Sequence, residues 1–138
     1  MDMQLINPAP LYDGAPAGMS QAVADPASGL VFISGQVDWD RESRVRHASL
    51  GDQAEGAIQN LLLALAAAGS SAAQVLQLRV YVRGELADAM ADVIPVITRH
   101  FAAVRPALTG VGVASLASRD TLIEIEAVAR RNPSSALR

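Results

Sequence analysis

The chain has 138 residues, a net charge of −3, 51% hydrophobic, 18% charged and 4% aromatic residues, and no cysteine. A single compact fold of that size hides roughly two-thirds of the surface of the unfolded chain, so residues 1–138 are expected to form one domain with one core. The apolar content excludes a disordered tail protein, the acidic charge and scarce aromatics exclude the basic stripe or stacking platform of a nucleic-acid binder, and the lack of cysteine excludes disulfides and sulfur-ligated metals.

The opening "MDMQLINPAPLYDG" has neither a basic region nor a continuous apolar core, and "LLLALAAA" is too short to span a bilayer, so a soluble cytoplasmic protein is expected. "MSQAVADPASGLVFISG" then reads as a hairpin, with strands at Met19–Ala24 and Leu30–Ser34 around a turn at Pro26 and Gly29. Ser49 to Ala68 is the clearest helix. Ile58, Leu61, Leu62, Leu65 and Ala68 recur at helical spacing, Ser49 with Asp52 suits a capping box, and Gly69 supplies the stop.

Between Val75 and Arg83 the period changes to two: Leu76, Leu78, Val80 and Val82 alternate with Gln77, Arg79, Tyr81 and Arg83. A second helix follows on Leu86, Met90, Val93, Ile97 and Phe101, with Pro95 expected to kink or restart it. Two strands close the chain, Leu108–Ser115 and Thr121–Arg130, around the turn-like "LASRD". The order ββ-α-β-α-ββ predicts a two-layer α+β fold, a mixed β-sheet with two helices on one face. Two helices cannot cover both faces of a sheet, so the bare face is expected to associate with copies of itself.

Few residues carry obvious chemistry. His47, in a basic loop with Arg41, Arg44 and Arg46, and His100, beside Arg99, are read as surface histidines because nothing pairs them at metal-ligand or catalytic spacing. "GVGVAS" starts like a dinucleotide fingerprint, but Ser115 stands where the third glycine belongs; the glycines are expected to admit a close backbone instead. Ser70 and Ser71 follow a helix stop and read as turn residues. In "LIEIEAVA", Ile123, Ile125, Ala127 and Ala129 share one strand face, and Glu124, Glu126 and Val128 the other. The two carboxylates are either a solvated face or the wall of a cleft under the bare sheet, and spacing alone leaves both open.

The stretches "SQAVADPASGLVFISGQVDWD", "QAEGAIQNLLLALAAAGSSAAQVLQLRVYV" and "RPALTGVGVASLASRDTLIEIEAVA" resemble, over nearly the whole chain, the RidA/YjgF reactive-intermediate deaminase family, older name endoribonuclease L-PSP. The resemblance implies a chorismate-mutase-like fold assembled as a homotrimer, with small-molecule clefts between subunits. It also implies hydrolysis of imines and enamines to 2-oxo acids and ammonia, with no metal or organic cofactor. By position the water-handling carboxylate is Glu124, and Ser34, Gly35 and Gln36 line the pocket. Two positions depart from the family pattern: Leu108 follows Pro106 and Ala107 where a carboxylate-clamping arginine is usual, and Met19 precedes "SQAV" where an aromatic hydroxyl is usual.

The loss of a bidentate guanidinium removes roughly 1.5 to 3 kcal/mol of charge-assisted binding, which implies a less anionic ligand. Trp39 is expected to add a wall, which makes the ligand-contacting set Met19, Ser34, Gly35, Gln36, Trp39, Leu108 and Thr109. Arg79 and Arg105 are alternative sources of the missing charge, although each has an ordinary place on a polar strand face or in a loop. A trimeric binding protein without efficient deaminase chemistry is the second reading. Ribonuclease activity, suggested only by the older family name, is disfavoured by the acidic charge and the lack of paired histidines.

Overall fold

Two helices and six strands build residues 2–133, the part described by the computed structural model. The strands are β1 (Gln4–Ile6), β2 (Ala22–Asp25), β3 (Leu30–Gln36), β4 (Val75–Arg83), β5 (Ala107–Val113) and β6 (Ile123–Arg130), and the helices α1 (Leu50–Ala67) and α2 (Leu86–Phe101). β1 adds to the predicted order; three residues are too few for a period to show.

Helix α1 starts at an extended Ser49 whose side chain accepts the Asp52 backbone N–H at 3.2 Å, and Gly69 takes φ 76° just beyond its end. Helix α2 runs through Pro95 without the expected restart. Pro95 lies on the exposed flank, where the carbonyl it leaves unpaired meets water, while Val93, Val96, Ile97 and Phe101 anchor the buried flank.

The sheet order is β1-β2-β3-β6-β4-β5, antiparallel throughout except for β4 with β5, which are parallel and joined through α2. Val31 and Ile33 of β3, Leu78, Val80 and Val82 of β4, and Ile123 and Ile125 of β6 are buried with the apolar faces of α1 and α2 in one core. Gly112 allows a close approach: a Cβ there would lie 2.4 Å from the Gly84 carbonyl oxygen, as the glycine pair in "GVGVAS" suggested.

The opposite face of the sheet has no helix. Across it Leu5, Val23, Phe32 and Val128 fall in one cross-strand row, with Leu5 70% and Phe32 48% exposed. Arg79, Tyr81, Glu124 and Glu126 share that face, where Tyr81 is opposite Glu124 and Arg79 opposite Glu126. Among the described residues no helix is long and apolar enough to cross a membrane.

Candidate functional site

β6 alternates strictly, so burying Ile123 and Ile125 against the helices turns Glu124 to the bare face. There the β3–β6 register shifts between Ile33 and Gln36, an irregularity that carries Ser34 and Gly35. The Glu124 carboxyl lies directly over Gly35: a Cβ built on that glycine would fall 2.3 Å from Glu124 Oε2 and 2.6 Å from Cδ. Only a residue without a side chain permits the contact. Burial raises the Glu124 carboxyl above the ordinary carboxylate range, and the neighbouring Glu126 charge adds to it.

Glu126 is held differently. It accepts a hydrogen bond from the Tyr81 phenol, whose own proton is held more tightly by that bond and then by burial. Arg79 lies with Glu126 in a small recess, two register pairs along from Glu124.

A residue that the sequence did not single out completes the site. Tyr12, half-buried in the loop before β2, directs its hydroxyl to Met19 Sδ at 3.6 Å and packs its ring on Trp39, with centroids 5.1 Å apart. Burial raises its phenol, and although Gln21 opposes this, the Glu124 charge adds to it, which puts Tyr12 in the same electrostatic environment. The aromatic hydroxyl absent at Met19 is therefore delivered to that side chain from seven residues upstream. Trp39 is pinned in turn by its indole N–H to Thr121 Oγ1 at 2.9 Å.

The other expected site residues separate. Ser34 donates its hydroxyl to the Ser20 carbonyl at 2.6 Å and its backbone N–H to the Gln21 carbonyl at 2.9 Å, so both of its protons are already engaged within the fold. Gln36 is buried, not pocket-lining: its amide nitrogen donates to Gln21 Oε1 at 2.8 Å and to the Ser34 carbonyl at 3.1 Å, which braces the irregular strand. Leu108 pairs in register with Leu78 and faces the helix layer, on the other side of the sheet from Glu124. It lines an apolar groove with Leu86, Met90 and Ile94, and a second recess with Arg105. Thr109 faces the Glu124 side but lies beyond Arg79 on β5. One chain thus does not bring Leu108 or Thr109 to Glu124.

The histidines lie apart on different elements. His100 Nε2 is 2.8 Å from Glu55, and His47 Nδ1 is 2.9 Å from Asp38. Neither pairing was visible in the sequence, because Glu55 is 45 residues from His100 and the path of the loop between Asp38 and His47 follows no period. Among the described residues no group of three potential ligands could hold a metal ion.

Comparison with known proteins adds to this geometry. Residues 13–131 match the family described as endoribonuclease L-PSP. The chain is 33% identical over 103 residues to "Protein MMF1, mitochondrial" of Saccharomyces cerevisiae, covering 73% of this chain and 68% of that protein. A RutC family protein of Pyrococcus horikoshii is 33% identical over 111 residues, 80% of this chain and 84% of the relative. Among solved structures, RidA from the Antarctic bacterium Psychrobacter superposes with a TM-score of 0.81 at 29% identity, covering 92% of this chain and 98% of that one.

Proposed function

This chain belongs to the endoribonuclease L-PSP family, and we propose that it is a RidA-like imine or enamine hydrolase whose substrates are less anionic than amino-acid imines. The observation that carries the reading is the Glu124 carboxyl, half-buried, pressed onto the Gly35 backbone and held with a raised pKa. A base of that kind retains a proton affinity closer to neutral pH than a surface carboxylate does. In the proposed reaction Glu124 takes a proton from a water whose oxygen attacks the protonated imine carbon. Glu124 returns that proton to the carbinolamine nitrogen, the C–N bond breaks as ammonia leaves, and the hydroxyl proton passes back to the Glu124 carboxylate to give the carbonyl product. Tyr12 and Trp39 wall the site, and the Tyr12 oxygen, whose proton is directed to Met19 Sδ, is left to accept a hydrogen bond from the protonated imine nitrogen.

We assign the working unit to a homotrimer of single-domain chains that bind a small molecule between subunits. The apolar row Leu5, Val23, Phe32 and Val128 supports burial of the bare face. In such an assembly the groove of Leu86, Met90 and Leu108 on one subunit would meet Glu124 of another, and its apolar lining is the basis for the less anionic specificity. Arg105, beside Leu108, is better placed than Arg79 to return a positive charge to that wall.

The test is release of carbonyl product from imines generated in situ by an amine or amino-acid oxidase. Wild type should accelerate it and Glu124→Gln should not; equal rates would remove Glu124 from the chemistry. Leu108 favours a second reading, a binding protein with the same cleft: metabolites would then raise the melting temperature without being consumed.

A further inference from the structure

Arg46, Arg83 and Arg119, from three separate segments, line one open surface cavity of about 560 Å3. Arg46 comes from the loop after β3, Arg83 from the last position of β4, and Arg119 from the loop between β5 and β6. None of the three forms an ion pair among the described residues. A single acid, Asp120, lines the cavity with them, and its carboxylate already accepts the Ser118 hydroxyl at 2.9 Å.

The walls are fixed from beneath. Gln53, 1% exposed on α1, donates to the His47 carbonyl at 2.9 Å and the Asp120 carbonyl at 2.8 Å, and accepts the Leu122 N–H at 2.8 Å. One buried amide therefore ties together the segments that carry Arg46, Arg119 and the start of β6. Arg83 donates to the Arg119 carbonyl and holds that loop from the other side. His47 also lines the cavity, and its orientation is set by Asp38, whose side chain is 0% exposed and whose Oδ2 lies 2.9 Å from Nδ1 and accepts the His47 backbone N–H at 2.8 Å. Nε2 is thereby turned away from the buried acid, with no hydrogen-bond partner among the described residues.

We propose that this cavity is a binding site for the dianionic phosphate group of a small molecule, independent of the Glu124 site. A carboxylate offers one two-oxygen fork, which a single arginine satisfies. A phosphate monoester presents three terminal oxygens and nearly two charges, which suit three guanidinium donors with an imidazole at the rim. The chain as a whole is acidic at −3, so these arginines are a local concentration of charge rather than part of a generally basic surface.

Calorimetric titration with inorganic phosphate, with acetate as control at matched ionic strength, tests the proposal. Saturable binding of one phosphate per chain is expected, with none for acetate. Arg46 and Arg119 are exposed and their side chains make no hydrogen bonds among the described residues, so R46Q/R119Q should keep its melting temperature while binding weakens at least about tenfold. Phosphate binding should persist in E124Q. Absence of saturable binding, equal affinity in R46Q/R119Q, or displacement of phosphate by a short RNA at far lower concentration, which would assign the surface to nucleic acid, each overturns the proposal.

Discussion

Replacing Gly35 by alanine isolates the contact on which the catalytic reading depends. Gly35 is outside the left-handed region, so its backbone accepts an L side chain, and the change confines the chain in the unfolded state. The obstacle is the new methyl group, 2.3 Å from Glu124 Oε2 and 2.7 Å from Cγ. For ordinary contact the carboxyl must retreat by about 1 Å, and misplacement of that size at a reacting centre costs on the order of 100-fold in rate. Stability has two opposed contributions: up to about 1 kcal/mol gained by restricting the unfolded chain, and a rotamer penalty of similar size on Glu124. The melting temperature should therefore move by no more than about 4 °C. Oxidase-coupled release of carbonyl product, measured beside a thermal melt, separates the two effects. A Gly35→Ala protein with wild-type turnover, while Glu124→Gln is inactive, would refute the claim that the close approach positions the base.

Three further outcomes follow from other parts of the molecule. Because Glu126 helps raise the Glu124 carboxyl, Glu126→Gln should lower that pKa, so the acid limb of the kcat/KM profile, which rises as Glu124 deprotonates, should shift to lower pH. Glu55 is held at a pKa of about 2 by Gln59 first and then by Arg99 and His100. Its stabilisation is complete above the unfolded value near 4.5 and is lost as pH falls toward 2, so Glu55→Gln should flatten the acid-denaturation curve in that window, while costing at most about 1 kcal/mol at neutral pH because the group is partly solvated. Gly56→Ala would put a Cβ 1.9 Å from the buried Asp38 Oδ1, and chemical denaturation should report a loss of about 2 kcal/mol or more.

The parts of the fold that repeat were legible before the structure. β4 alternates from Leu78 to Arg83 because one face is core and the other is not, whereas the register shift between Val75 and Gln77 buries Val75 and leaves Leu76, expected on the core face, exposed; Ser49, Asp52 and Gly69 delimit α1 through backbone hydrogen bonding that any sequence must satisfy. The site was harder to read because its decisive relations are not periodic. Tyr12 reaches Met19 from a loop, the register shift at Ser34–Gly35 depends on what β6 places opposite, and Gln36 turns inward to brace it. Leu108 was assigned to the Glu124 pocket by its neighbours in sequence. Its face is set by parallel pairing with Leu78, and a largely exposed strand carries no alternation to announce that.

β5 has one further consequence. It ends the sheet, pairs on one side only, and within "ALTGVGV" carries no charge, no proline and two glycines, with all but the last residue exposed. Such a rim is a template for strand addition by any extended polypeptide nearby. A newly made chain therefore faces a competition between finding its proper neighbour and recruiting a wrong one. Overproduction at high temperature should fill inclusion bodies, and a lower growth temperature should return the chain to solution.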